Sequence, residues 1–439
     1  MSRTRTARRL PRTTGLAAVA AATALVLTAC SGSDTKDKAS TTGGGADRGP
    51  ITFAVGKDTS GALQKQVDAW NSAHPTQKVT LDELPAAADA QLQQLQQNAQ
   101  VKSTAFSVLG LDVTWTSEFA ANRWIDPMPK STGTSGLLPA AVESATYRGT
   151  LYSVPWQTNG GLLFYRKDLL AAAGITKPPA TWQEMQADCA RVTARPQAKA
   201  ASCYAGQFDK YEGLVVNFSE AVQSSGGRVF DDNGNPTVDT PQAKTALDWL
   251  AGAFKDGTIA HENLTYQEEN GRQAFQSGKV IFMRNWPYVW DLANKTDGSS
   301  KVAGKFDVAP LPGLSGTGSS TLGGYNLAVS SFAKHKTTAR DFIAYLTSDA
   351  SERANLLAAS TAPTRTDLYE DPALQKKFPY LARLKQSLDS AVARPKAVRY
   401  GDVSAAIQDA VYPVLSGQAD PATALAPLQT KLTRITSQP

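Results

Sequence analysis

Three cysteines and three histidines in 439 residues leave little room for metal or thiol chemistry. His74, His261 and His335 stand far apart and give no ligand spacing. There is no Gly-x-x-x-x-Gly-Lys-[Ser/Thr] segment, so the chain carries no P-loop for ATP. No Gly-x-Ser-x-Gly elbow marks a serine nucleophile. A helix-turn-helix or RNA-binding signature is also missing, and after the N-terminal leader no apolar run nears membrane-spanning length. Excess charge is lacking too. The 45 Lys and Arg against 39 Asp and Glu give +6, but Arg3, Arg5, Arg8, Arg9 and Arg12 belong to the leader, and without them 40 basic residues face 39 acidic ones. Such a balance argues for neither nucleic acid nor an acidic partner.

What is present begins with those arginines, followed by an uncharged stretch from Gly15 to Ala29. A basic segment, a short apolar run and small residues at its end make a secretory signal, too short to span a bilayer. Its last residues, Leu27-Thr28-Ala29-Cys30, resemble a bacterial lipobox. The resemblance implies that residues 1–29 are removed and that Cys30 carries acyl chains, more than one of which gives stable anchoring to the outer face of the cell membrane. An ordinary cleaved signal with a chance cysteine is the alternative. Residues 30–49, which continue from Cys30 as SGSDTKDKASTTGGGADRG, contain no large apolar side chain and read as a flexible tether.

Residues 50–439 are too many for one compact core. Ile51-Thr52-Phe53-Ala54-Val55 reads as a strand, and Leu63, Val67 and Trp70 then share a helical face that Pro75 ends. Val79–Leu81 and Phe106–Leu111 read as further strands around a Gln-rich helix with Leu92 and Leu95. Thr181-Trp182-Gln183-Glu184 is a capping box, and Thr240-Pro241 opens another helix. This alternation predicts α/β layers, mostly parallel sheets and two lobes. Phe306–Val308 and Leu327–Val329 are expected to rejoin the first lobe. Outside the cytoplasm, Cys189 and Cys203 are expected to form a disulfide, with two buried thiols as the alternative.

Several stretches occur together and in order: Gly110-Leu111-Asp112-Val113-Thr114-Trp115, Thr158 to Leu170, Tyr211-Glu212-Gly213-Leu214, Gln267-Glu268-Glu269, Phe282-Met283-Arg284-Asn285-Trp286-Pro287-Tyr288, Thr321-Leu322-Gly323-Gly324-Tyr325 and Ala393-Arg394-Pro395. This set resembles the extracellular solute-binding proteins of bacterial ABC importers, and within them the trehalose/maltose (α-glucoside) binding lipoproteins. The resemblance implies a periplasmic-binding-protein-like fold: two α/β lobes joined by a multi-segment hinge, with the ligand in a cleft between them. Lobes are expected at 50–156 plus 307–362 and at 157–306 plus 363–439. The chain would cross near Pro155–Gln157, Asp307–Pro310 and Pro363–Arg365.

A sugar presents many hydroxyls and weakly apolar C–H faces, so its site needs carboxylates, amides or Arg together with flat aromatic rings. Asp112 follows a strand and is expected to accept two hydroxyls, unless it caps a helix. Asn159 offers an amide, or forms an Asn-Gly turn. Trp286 would stack on a pyranose ring or else pack in a core. Tyr325 stands where relatives often carry Trp. Gly323 and Gly324 would let backbone approach the ligand or form an ordinary loop, and Arg394 would clamp hydroxyls or form a surface ion pair. Glu268 is preferred to Glu269 as the inward acid. Asp58, Ser60 and Gln157 are rim candidates, while Trp115 and Trp156 are as well explained by packing.

By resemblance the protein is no enzyme and needs neither cofactor nor metal. It is expected to be a monomer that passes a di- or oligosaccharide to permease subunits, with ATP hydrolysis in a separate subunit. A binding lipoprotein for another solute such as a peptide, and a secreted carbohydrate-active enzyme, are the competing readings. The latter needs two acids flanking one bond, which Asp112 and Glu268 are not marked to be.

Overall fold

Aromatic and β-branched residues facing a core begin the first sheet: Ile51, Phe53 and Val55 are almost fully buried. The computed structural model describes residues 47–199 and 201–437, so the leader, Cys30 and most of the tether lie outside the described residues. Its main strands are β1 (Ile51–Gly56), β2 (Val79–Leu84), β3 (Val108–Asp112), β4 (Ser153–Asn159), β5 (Leu162–Tyr165), β6 (Ser202–Ala205), β7 (Val280–Asn285), β8 (Asp307–Ala309) and β9 (Gly323–Val329). They form two sheets, ordered β2-β1-β3-β9-β4 and β8-β5-β7-β6.

Both sheets are mixed, which corrects the expectation of mostly parallel pairing. β1 runs parallel to β2 and β3, but β9 enters antiparallel to β3 and β4. In the second sheet only β6 and β7 are parallel. The antiparallel neighbours are the segments that return from the other lobe, so no crossover helix fixes their direction. A second correction concerns residues 306–308. Asp307–Ala309 pairs with Leu163–Tyr165 in the second sheet, and Val308 is buried among second-lobe residues such as Phe164 and Phe306. Only β9 returns to the first sheet, so this crossing lies within 310–322. The crossing expected at Pro155–Gln157 is likewise displaced, because β4 continues to Asn159 in the first sheet and the chain passes over at Gly160–Gly161.

The helices start and stop where local chemistry demands. In α1 (Ala62–Ala73) Leu63, Val67 and Trp70 are buried, and the helix ends before Pro75. α2 (Ala88–Gln100) buries Gln91, Leu92, Leu95 and Ala99. In α3 (Trp182–Thr193) the Glu184 amide donates to Thr181 Oγ1 at 3.1 Å, while Glu184 Oε2 accepts the Thr181 amide at 3.2 Å. Cys189 of α3 and Cys203 of β6 form a disulfide with a Cα separation of 5.4 Å. Closing a loop of that size stabilises the fold by on the order of 3 kcal/mol. α4 (Glu212–Ser224), α5 (Pro241–Asp256) and α6 (Glu268–Gln276) follow, α5 opening on Thr240 and Pro241. α7 (Asp349–Ala359) packs against α1. α8 (Tyr400–Leu415) spans the seam: Tyr400 packs with Leu92, Trp115 and Phe119 of the first lobe, whereas Val403, Ile407 and Val411 belong to the second-lobe core.

After α7 the segment 360–365 is braced in part by a buried acid. Glu352 is 2 % exposed, and its carboxylate accepts the Thr364 amide and hydroxyl and the Arg365 amide. Burial pushes its pKa from 4.5 up to about 7, against the pull of the Thr364 donors. Between those two values the folded protein holds a proton that the unfolded chain releases, so stability falls as pH rises through that window and levels off above it. A shift of this size corresponds to roughly 3 kcal/mol. Urea unfolding of Glu352→Gln between about pH 4.5 and about pH 7 is expected to show a flatter stability profile than wild type; an unchanged slope would count against this account.

Candidate functional site

Strand ends of the first sheet and the segment that follows β7 of the second line a cavity of about 590 Å³. Asp112, Asn159, Glu268, Trp286, Gly324, Tyr325 and Arg394 all line it, as do Asp58, Ser60 and Gln157. Asp112 ends β3, where an α/β sheet presents functional side chains, and it stands beside Tyr325 in the β3–β9 register. Asn159 ends β4 opposite Gly323. Among the described residues, neither Asn159 nor Gln157 makes a side-chain hydrogen bond to the protein, which leaves both amides available to a solute.

Arg394 is buried, at 6 % exposure, so the surface ion pair is ruled out. Its Nη1 donates to Glu212 Oε1, and its Nη2 donates to Asp112 Oδ1 at 3.1 Å. Asp112 Oδ1 also accepts the Thr114 amide at 3.0 Å and the Thr114 hydroxyl at 2.7 Å. One oxygen is therefore committed to the protein, and Oδ2 has only a long 3.4 Å contact with Arg394. Glu212, the first residue of α4, collects Arg394, the Tyr400 hydroxyl and the Ser404 hydroxyl. Burial raises its pKa although Arg394 pulls it down. The sequence places Glu212 inside a segment that resembles known relatives but gives it no role; the signal was an acid just ahead of the apolar run Leu214-Val215-Val216.

On the second-lobe wall, Glu268 Oε2 accepts the Tyr211 hydroxyl at 2.7 Å. Burial raises the Glu268 pKa, and the hydrogen bond from Tyr211 opposes the rise. Glu269 is engaged elsewhere, by Arg272 and by the Tyr288 hydroxyl at 2.6 Å, so Glu268 is the freer acid. Trp286 lies with the Arg284 guanidinium 3.8 Å from its ring centroid. That guanidinium is fixed by a two-pronged ion pair to Glu220 at 2.8 and 2.6 Å, so one face of the indole is taken and the rest of the ring lines the cavity.

Some expectations take a different form. Asp58 faces inward but spends its carboxylate on the Ser60 amide and hydroxyl and on the Leu63 amide, bracing the start of α1. Trp156 also lines the cavity, yet it is 4 % exposed and meets Phe53 edge-on at 5.9 Å, which makes it chiefly a packing residue. Trp115 is fully buried. Gly323 and Gly324 are required by the protein before any ligand. A Cβ on Gly323 would lie 2.8 Å from the Trp286 ring, and Gly324, at φ +121°, would place one 1.9 Å from the Gln157 carbonyl. Two residues that sequence reasoning passed over, Gln91 and Tyr288, also line the cavity; Gln91 Oε1 accepts the Tyr325 hydroxyl at 3.2 Å.

The match of residues 56–353 to the model of a family described as bacterial extracellular solute-binding protein decides what this cavity belongs to. The chain belongs to that family. A probable ABC transporter-binding protein of Deinococcus radiodurans is 35 % identical to this solute-binding protein over 398 residues, covering 88 % of this chain and 93 % of the relative. The solved structure of maltose-bound MalE3 from T. maritima superposes with a TM-score of 0.83 at 32 % identity, covering 88 % of this chain and 99 % of that one. The GacH receptor of Streptomyces glaucescens GLA.O, solved unliganded and with acarbose, gives 0.79 at 26 % identity, with 89 % and 99 % covered. The solute-binding protein thus has the periplasmic-binding-protein-like fold, acts outside the cytoplasm, and is a binding protein rather than an enzyme.

Gly324→Ala should destabilise this solute-binding protein by about 3 kcal/mol or more, from positive-φ strain plus the clash with strand β4. Thermal unfolding checks it, and a midpoint equal to wild type would show that the β4–β9 contact is looser than described.

Proposed function

We propose that the protein captures a di- or oligosaccharide of the trehalose, maltose or other α-glucoside type, closes its lobes around it and delivers it to an ABC permease whose ATPase is a separate subunit. Cys30, lipidated, tethers the protein through the 30–49 segment to the outer face of the membrane, and the protein works as a monomer. Asp112, Asn159, Glu268 and Arg394 contact hydroxyls, Trp286 stacks on a ring, and Gly324, Tyr325 and Gln157 shape the remaining wall. Asp58 contributes to the rim.

One observation carries this reading. A single cavity combines an indole backed by a fixed guanidinium with the carboxylates of Asp112 and Glu268 and the amides of Asn159 and Gln157, which among the described residues make no side-chain hydrogen bond. Flat aromatic surface beside bidentate polar groups is what a pyranose requires, and about 590 Å³ lies within the roughly 300–1,000 Å³ of small-molecule sites. Maltose in one solved relative and acarbose in another are sugars with α-glucosidic character, which favours the same class here. Hinge closure suits two lobes joined by three crossing segments, a type of motion for which periplasmic binding proteins are themselves a standard example.

Isothermal titration of the purified protein with trehalose, maltose, sucrose, maltotriose, mannitol and a dipeptide tests the proposal. Saturable binding of one α-glucoside is expected, about tenfold weaker in Trp286→Ala from lost stacking and contact area. Asp112→Ala should weaken it more, because it removes a hydroxyl acceptor and leaves Arg394 partly unpaired. Binding of mannitol or the dipeptide with none of any ring sugar would sink the substrate class and leave the fold untouched.

A further inference from the structure

The seam between the lobes contains hydrogen bonds that ligand contact does not explain. Asp89, in the first turn of α2, is exposed and does not line the ligand cavity. Its Oδ1 accepts the backbone amide of Glu212 at 2.8 Å, and its Oδ2 accepts Gln408 Nε2 at 2.9 Å. Helix α4 begins at Glu212, and its N-cap residue, Tyr211, supplies no side-chain cap. First-turn amides need an acceptor from elsewhere, and the positive end of the helix favours a carboxylate. A first-lobe acid therefore caps a second-lobe helix.

The second arm of Asp89 reaches the same network from another side. Gln408, on α8, also donates to Ser404 Oγ at 2.9 Å, and the Ser404 hydroxyl donates to Glu212. Asp89 is thus linked to Glu212 twice: directly through its amide, and through Gln408 and Ser404 to its carboxylate. That carboxylate receives Arg394, whose other arm meets Asp112 in the cleft. Among the described residues, no other side chain accepts the Glu212 amide. A second cavity of about 460 Å³ borders the seam here and is lined by Asp89, Glu212, Tyr400 and Ser404.

We propose that Asp89 is a positioning residue: by capping α4 and bracing α8 across the seam, it holds Glu212 and through it Arg394 in the orientation the cleft uses, and so couples the arrangement of the lobes to ligand affinity. The affinity part of this inference rests on the solute-capture reading above. The structural part does not.

The test compares Asp89→Ala, Asp89→Asn and Gln408→Ala in the purified protein by three measurements: titration with the sugar that binds wild type, amide hydrogen exchange over residues 211–217, and small-angle scattering without ligand. Asp89→Ala should bind about tenfold more weakly and exchange the Glu212 amide about tenfold faster, the size expected for a lost hydrogen bond to a charged group. Its ligand-free scattering should shift toward a more open particle, while its thermal midpoint falls by only a few degrees, the size of a lost helix cap worth about 1 kcal/mol, because Asp89 fills no core. Asp89→Asn keeps an acceptor for the amide and should recover affinity to within about threefold. Gln408→Ala should show the same trends at smaller amplitude. Unchanged exchange and scattering in Asp89→Ala would overturn the proposal, as would an Asn variant no better than Ala. Should wild type bind none of the sugars, the substrate reading fails alone, and exchange and scattering still decide the role of Asp89.

Discussion

Glu212 is a carboxylate at the centre of the molecule with almost no access to water, and the cleft is organised around relieving that condition. Burying an isolated carboxylate costs several kcal/mol, so every lone pair must find a donor. Arg394, Tyr400 and Ser404 provide them, and each comes from a segment late in the chain, roughly two hundred residues away. Arg394 in turn would be a buried cation without Glu212 and Asp112. This wall of the cavity and the junction between lobes therefore stand or fall together.

A parallel device supports the opposite wall. Arg284, 1 % exposed, is locked by Glu220, which also accepts the Thr321 amide at the start of the return to the first lobe. The guanidinium then serves as a platform for Trp286. A ring held on one face by a fixed cation keeps its plane before any ligand arrives, which lowers the ordering entropy lost on binding. In both walls a buried ion pair converts a flexible polar side chain into a positioned one. Such pairs contribute little net stability when compared with apolar packing, so positioning is the better account of their presence here.

Much of this was legible from local pattern. The strand at 51–56, the helix carrying Leu63, Val67 and Trp70, the Thr181 capping box and the Thr240-Pro241 helix start depend on neighbours within a few residues, and the structure has each of them. The residues expected at the cleft do gather in one cavity because the motifs that carry them sit at strand ends and helix starts. The returning segments were harder. Asp307–Ala309 looks like any short apolar strand, and only its pairing with Leu163–Tyr165 says which sheet it enters. For Gly323 and Gly324, only the packed structure shows that Trp286 and strand β4 already occupy the space a Cβ would need.

The sequence by itself determined the alternation of strands and helices, the absence of a P-loop and of a serine-nucleophile elbow, and the residue types suited to a hydroxyl-rich ligand. These follow from composition, period and short-range capping, whose energetics are local. Only the tertiary structure decided which acid pairs with Arg394, that Asp58 braces its own loop, that Glu269 is taken up by Arg272 and Tyr288, and that Asp89 caps a helix of the other lobe. Each of these depends on which partners the fold brings within about 3 Å, and at that range a carboxylate's nearest donor is set by chain segments that no local window contains.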